Sequence, residues 1–250
     1  MTLDLHALAP AGFAIIMIAA WGTAISLLFI PAPYGRHDRP GWGPAVPQRL
    51  AWVLMELPSL AAFLLGWLWA GPPESALSWA LGSFWTIHYG HRTFIYPLLI
   101  RPRPGASMKI LLVVMAVIFN VLNGGLNGLF LAQGLRAGWD IFATIGLALG
   151  AVGFAINHHA DAGLRALRRE HTGYQIPRGG LYRWISCPNY FGELVEWVGF
   201  AIAACSPFGW TFAAFTAANL VPRAMASHRW YRDTFADYPP ERRAILPFIL

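Results

Sequence analysis

Seven long apolar stretches dominate this chain, at 11–31, 51–69, 77–100, 110–135, 139–162, 190–204 and 208–227. Roughly 20 apolar residues are what an α-helix needs to cross a ~30 Å hydrocarbon core. The expectation is therefore an all-α fold: one polytopic membrane domain over 1–250 with seven transmembrane helices. Composition agrees, since 56% of residues are hydrophobic and 12% charged, against about 45–50% and about 25% in soluble domains. A soluble globule would lack the charge to cover itself, and a disordered chain needs the opposite balance. The first stretch is read as a retained span, because Asp4 and no Lys or Arg precede it and six further spans follow. Cys187 and Cys205 have neither CxxC spacing nor a disulfide framework around them and are read as packing residues.

The net charge of +6 is not spread over a nucleic-acid-binding face, and no nucleic acid partner is expected. It is sorted between the two ends of the spans. Arg36, Arg39, Arg49, Arg101, Arg103, Lys109, Arg165, Arg168, Arg169, Arg178, Arg183, Arg229, Arg232, Arg242 and Arg243 fall at one end, while Arg136 stands alone at the other. Cytoplasmic loops carry the excess of Lys and Arg, which places the N-terminus outside or lumenal and the C-terminus in the cytosol. Arg36, Arg39 and Arg242 read as topology and lipid-headgroup residues. Lys109 is the single lysine among 18 basic residues; with abundant alanine this usage points to a GC-rich, bacterial source, and so to the inner membrane, with the endoplasmic reticulum as the eukaryotic equivalent.

A charge at a span centre costs about 2.5–3.5 kcal/mol on insertion scales, so each one retained there is a candidate for function. Asn157, Asp161, Arg165 and Arg168 share a helix face by spacing, as do Asn189, Glu193 and Glu196, and Arg223, Ser227 and Tyr231. Trp52 and Glu56 lie one turn apart, and Tyr89, Arg92 and Tyr96 span two turns. These stripes fall at the arginine-rich ends of the spans and describe one polar cavity open to the cytosol. Guanidiniums suit phosphates, amides and carboxylates suit ribose hydroxyls and a carboxamide, and aromatic rings suit a flat heterocycle. The set fits a dinucleotide bound without a Rossmann fingerprint. The glycine cluster at 124–128 lacks that spacing and is read as close helix packing. His88, His91, His158 and His159 are too few and too scattered over helix faces for a di-iron site, so no metal is expected.

Glu56-Leu57-Pro58-Ser59, the run from His88 to Tyr96, Tyr174-Gln175-Ile176-Pro177-Arg178-Gly179-Gly180-Leu181, Asn189-Tyr190-Phe191-Gly192-Glu193 with Glu196-Trp197, and the tail Asp237-Tyr238-Pro239 through Ile245-Leu246-Pro247-Phe248 resemble, in order, the words of the steroid 5α-reductase family. The resemblance implies a seven-helix oxidoreductase that uses NADPH to reduce the Δ4 double bond of a 3-oxo-steroid. It implies that Glu56 and Tyr89 hydrogen-bond the steroid ketone. It also implies that Asn157, Asp161, Arg168, Tyr174, Asn189, Glu193, Arg223 and Tyr231 hold the cofactor, with Trp52, Tyr34, Tyr96 and Arg103. Met55 stands where the mammalian testosterone-reducing members of that family have a glutamine, Ile100 where an asparagine is usual and Ser227 where a histidine is common.

The expected mechanism has Glu56 and Tyr89 polarising the C3 carbonyl, because charge builds on that oxygen as hydride reaches C5. His91 and Arg92 are candidate proton relays to C4. A trans-2-enoyl thioester reductase and an S-adenosylmethionine-dependent membrane methyltransferase are the other enzyme readings; a transporter would spread its polar residues over the full depth. Membrane lipid is an expected partner, and no obligate protein partner is evident.

Overall fold

The computed structural model describes residues 43–69, 71, 73–102, 105–134 and 138–250, with isolated positions from 11 to 41. Most of the first expected span lies outside the described residues, as do Tyr34, Arg36, Arg39, Arg103 and Arg136. The described elements are mainly helical: α1 (Gln48–Trp67), α2 (Ala76–Gly90), a π-helical turn (His91–Ile95), α3 (Tyr96–Leu99), α4 (Ile110–Ala132), α5 (Ile141–Glu170), a 3-10 turn (Gly180–Arg183), α6 (Pro188–Ala204) and α7 (Pro207–Thr234). Two short strands, β1 (Ala45–Pro47) and β2 (Ser107–Lys109), pair antiparallel with Val46 opposite Met108. They pin the start of α1 to the start of α4. Helices α1, α4 and α5 are long and apolar enough to cross a membrane.

Helix starts follow local chemistry. Ser75 accepts from Ser78 N at 3.0 Å, Asp140 from Ala143 N at 2.7 Å, and Ser206 from the amides of Phe208 and Gly209. Each satisfies amides that a helix N-terminus leaves unpaired. The third expected span, 77–100, is not one continuous α-helix: it widens into the π turn at His91–Ile95. Pro97 explains this, because its ring crowds the carbonyl four residues back and it has no N–H to offer. The fifth span runs further than expected, as α5 continues to Glu170 and carries Arg165, Arg168 and Arg169 on the same rigid rod.

Two pairs of helices approach closely through glycine. At Gly124 and Gly128 of α4, an added Cβ would lie 2.4 Å from Ser59 O and 2.3 Å from Phe63 O of α1. Gly146 and Gly153 of α5 meet the α6 backbone at 2.4 and 2.3 Å in the same sense. Asn120 Nδ2 donates to Met55 O at 2.6 Å, tying α4 to α1 beside Glu56. Between the pairs lies an aromatic core around Trp85, stacked on Phe63 at 4.7 Å and on Tyr89 at 5.0 Å, with Trp197, Phe200 and Phe212 against it. That core forms the floor beneath the polar end.

Candidate functional site

Glu56 sits on the buried face of α1, and the π turn brings Arg92 to it, with Nη2 donating to Oε1 at 3.1 Å. The guanidinium also lies 4.7 Å from the ring centroid of Trp52 and 5.3 Å from that of Tyr96, whose rings meet edge to face. Four expected site residues from α1, the π turn and α3 therefore form one cluster. A longer turn is what allows it, since π geometry shifts Arg92 and Tyr96 relative to an ideal helix. Tyr89 is buried, its ring held between Trp85 and Trp197. Glu56, Glu193 and Arg92 are the charged groups that act on it.

A second cluster joins α5 to α6. Asn157 Nδ2 donates to Asn189 O at 3.0 Å and lies 3.4 Å from Glu193 Oε2; Asn189 Nδ2 donates to Asp161 Oδ1 at 3.1 Å. The glycine contacts one turn away make this reach possible for short side chains. Arg92 acts on both Asp161 and Glu193, and Arg165 and Arg168 act on Asp161, so the two clusters share one electrostatic field. Arg223 of α7 faces Tyr190 of α6, 3.3 Å from its hydroxyl and 5.6 Å from its ring centroid.

Tyr174 and Tyr231 sit instead in an aromatic group with Trp230, Phe235 and Tyr238. Tyr182 ties the 3-10 turn to α5, donating to Ala160 O at 3.2 Å. Burial, followed by Asp161, pushes its phenol well above the ordinary tyrosine range, which keeps it a donor.

Among the described residues, several buried polar atoms around these clusters have no hydrogen-bond partner: Trp52 Nε1, His91 Nδ1, Arg92 Nε, His158 Nε2 and Glu196 Oε2. Native proteins pair buried polar groups, so atoms left open in one region mark where a ligand or water is received. The rings of His91 and His158 lie 4.2 Å apart. Among the described residues, no three His, Cys, Asp or Glu side chains come together as a metal-ligand group.

Three features escaped the sequence reading. His88 Nδ1 and Glu196 Oε1 are 2.6 Å apart in the interior, joining α2 to α6 behind Tyr89. Ser186 Oγ bonds His228 Nδ1 at 2.7 Å, the Tyr238 hydroxyl at 2.6 Å and Arg243 O at 3.0 Å, clasping the tail to the start of α6. Arg242 is only 4% exposed and lies over the Tyr238 ring, so it is no headgroup residue, contrary to the charge-pattern expectation. Each joins residues at least 42 positions apart or depends on where the tail docks, which no local spacing encodes.

The fold and site together define a helical protein with apolar helices of membrane-crossing length and a deep polar site at one end. The family model described as 3-oxo-5-alpha-steroid 4-dehydrogenase matches residues 106–250. The chain is 41% identical over 235 residues to the 3-oxo-5-alpha-steroid 4-dehydrogenase 1 of Bos taurus, covering 90% of this chain and 91% of the relative. It is 40% identical to the steroid 5-alpha-reductase DET2 of Arabidopsis thaliana, over 94% of each, and 42% identical to the human 3-oxo-5-alpha-steroid 4-dehydrogenase 1, over 86% and 85%. The chain belongs to the steroid 5-alpha-reductase family and is an oxidoreductase acting on a CH–CH bond of a steroid.

Proposed function

We propose that this protein reduces the Δ4 double bond of 3-oxo-steroids to the 5α product with NADPH, as one seven-span membrane domain whose arginine-rich end faces the cytosol. The carrying observation is the Glu56–Arg92 pair set beside Tyr89 at the edge of the aromatic core. It puts carboxyl, phenol and guanidinium groups where an apolar, flat substrate would bring a single polar oxygen.

The donor set suits NADPH. Arg165, Arg168 and Arg223 match its phosphates, and Asn157, Asp161, Asn189 and Glu193 its ribose hydroxyls and carboxamide. Trp52, Tyr96, Tyr174 and Tyr231 supply rings, and the same reading extends to Tyr34 and Arg103 outside the described residues. The buried polar atoms without partners support a polar occupant. When bound, NADPH supplies the hydride that reaches C5.

Tyr89 donates from its phenol to the C3 ketone oxygen. Glu56 is the second group at that oxygen, held in place by Arg92, which donates to its Oε1. Together they stabilise the charge that develops on that oxygen, help typically worth about 10²–10⁴ in rate. Arg92 is a positioning residue, because a guanidinium keeps its proton; the Trp52 and Tyr96 rings fix where it points. His91 is the candidate relay for the proton that solvent delivers to C4, next to His158. One hydride and one proton are added, and the ketone is restored.

The test is incubation of membranes from an expressing strain with NADPH and progesterone or testosterone, followed by mass spectrometry for the 5α product. Product from wild type, with slow turnover in Glu56→Gln and Tyr89→Phe, is expected. Unaltered rates in both variants overturn the assignment, and NADPH oxidation with enoyl thioesters alone moves the substrate class.

A further inference from the structure

A groove of about 600 Å³ runs along the outer side of α5, between that helix and the 3-10 turn. Ligand sites typically hold about 300–1,000 Å³. Its walls are Val152, Ala155 and Ile156 of α5 and Leu181, Arg183 and Trp184 of the following segment. Val152, Ile156 and His159 lie at i, i+4 and i+7, on the face of α5 opposite Asn157, Asp161 and Arg168. The groove therefore faces away from the proposed cofactor and steroid site.

Its shape is built in. Tyr182 is buried beneath the turn and bonded to Ala160 O at 3.2 Å. Gly180 adopts φ of 49°, and a Cβ there would fall 3.3 Å from His159 Nε2. The turn can lie this close to α5 only with glycine at that position.

The groove continues into an exposed apolar tip. Trp184 is 43% exposed and its ring lies 6.2 Å from that of Phe248; Phe248 and Ile249 are 75% and 79% exposed. The tip is ordered, since Ile245 N and Leu246 N both donate to Leu250 O at 2.7 Å. Exposed apolar surface of this extent marks a contact with a partner or a membrane. Arg183 lines the groove, and Arg243, whose amide donates to Trp184 O at 2.8 Å, flanks it; both side chains are exposed. Tryptophan at the rim, apolar walls below and guanidiniums beside it match the order of layers at a bilayer surface.

We infer that this groove binds an anionic phospholipid from the leaflet at the arginine-rich end, with one acyl chain along Val152, Ala155 and Ile156 and the phosphate on Arg183 and Arg243. Charge complementarity selects this occupant. Basic pockets beside membrane helices take anionic headgroups, and guanidiniums grip phosphate oxygens in pairs. The Trp184–Phe248–Ile249 tip seats the tail in the same layer.

The experiment is native mass spectrometry of the full-length protein, purified in detergent and titrated with dioleoyl-phosphatidylglycerol, dioleoyl-phosphatidylcholine or a Δ4-3-ketosteroid. Wild type should retain the phosphatidylglycerol roughly thirty-fold better than the phosphatidylcholine, the scale expected for two arginines near an anionic surface. Arg183→Gln with Arg243→Gln should remove that preference, and Ala155→Trp should remove retention of both lipids by filling the groove, with thermal unfolding and steroid reduction unchanged in each. Equal retention of the two lipids by wild type, unaltered phosphatidylglycerol retention in Ala155→Trp, or displacement of phosphatidylglycerol from wild type by the steroid overturns the inference. Steroid turnover by wild type is read in the same preparation and tests the proposed activity separately.

Discussion

Replacing glycine by alanine at two positions of α5 should have opposite effects. At Gly153 the new Cβ would lie 2.3 Å from Glu196 N, 2.5 Å from Gly192 O and 2.7 Å from Glu196 Cα. Ordinary contact begins at 3.4 Å, and all three neighbours are backbone, so α5 and α6 must part by about 1 Å. The Asn157–Asn189 and Asn189–Asp161 bonds, 3.0 and 3.1 Å long, lie one to two turns away and stretch beyond useful length. Overpacking costs about 1–3 kcal/mol and each of the two bonds about 1 kcal/mol, for a total of roughly 3–5 kcal/mol. At about 2–4 °C per kcal/mol for a chain of this size, Tm should fall by roughly 6–20 °C. Gly163 of the same helix meets only Tyr182 Cε2, at 3.9 Å. Alanine there removes backbone freedom from the unfolded chain without a clash and should add about 0.5–1 kcal/mol. Thermal unfolding of detergent-purified protein, followed by tryptophan fluorescence, reads both variants, and the KM for NADPH should rise in Gly153→Ala alone. A Gly153→Ala protein that melts within a degree of wild type would refute the packing described for α5 and α6.

Glu196→Leu should destabilise by about 1–3 kcal/mol, because it leaves a buried ring nitrogen of His88 without its hydrogen-bond partner; the same melting assay reads the loss. Arg92→Gln should lower kcat for steroid reduction roughly ten- to hundred-fold through misplacement of Glu56, with Arg92→Lys recovering only part of it; equal rates in all three proteins would remove the positioning role. His228, one residue beyond the last expected span, has its imidazole pushed below the ordinary histidine range by burial and then by Arg232, Arg243 and Arg229. The folded state therefore binds fewer protons than the unfolded one, and stability rises with pH in this window. The Ser186–His228–Tyr238 clasp should be intact above about pH 6.5 and weaken as pH falls below it. Melting from pH 5 to 8 should show a slope that His228→Gln flattens.

Much of the site was legible because helical periodicity fixes which residues share a face. Asn157 and Asp161, or Asn189 and Glu193, had to lie on one stripe of any helix containing them, and the structure places the two stripes against each other. Which helix neighbours which was not legible in the same way. Arg92 reaches Glu56 across 36 residues and His88 reaches Glu196 across 108. Both depend on helix order and, for Arg92, on a π turn whose cause, Pro97, lies outside the stripe itself. Arg242 was misplaced for a related reason: charge counting assigns an arginine to an end of the bundle, and burial is decided by what the tail folds against.

Helix α4 shows why apolar pattern alone could not assign inner faces. Its buried residues include Asn120, Asn123, Gly124, Asn127 and Gly128, while Leu111, Val114, Met115, Ile118 and Val121 are exposed. A soluble helix buries the second set and exposes the first. In lipid there is no gain from hiding leucine from a solvent that is itself hydrocarbon, so association rests on close approach of small residues and on polar groups that need partners. Gly124 and Gly128 supply the approach to α1, and Asn120 and Asn127 find their partners at Met55 O and Asn123. The same inversion governs the two faces of α5. Gly146, Gly150, Gly153 and Asn157 turn inward to α6, and Val152 and Ile156 turn out to line the groove. In α4 and α5, glycine and asparagine spacing marks the face turned to the neighbouring helix, and the large apolar side chains mark the opposite face.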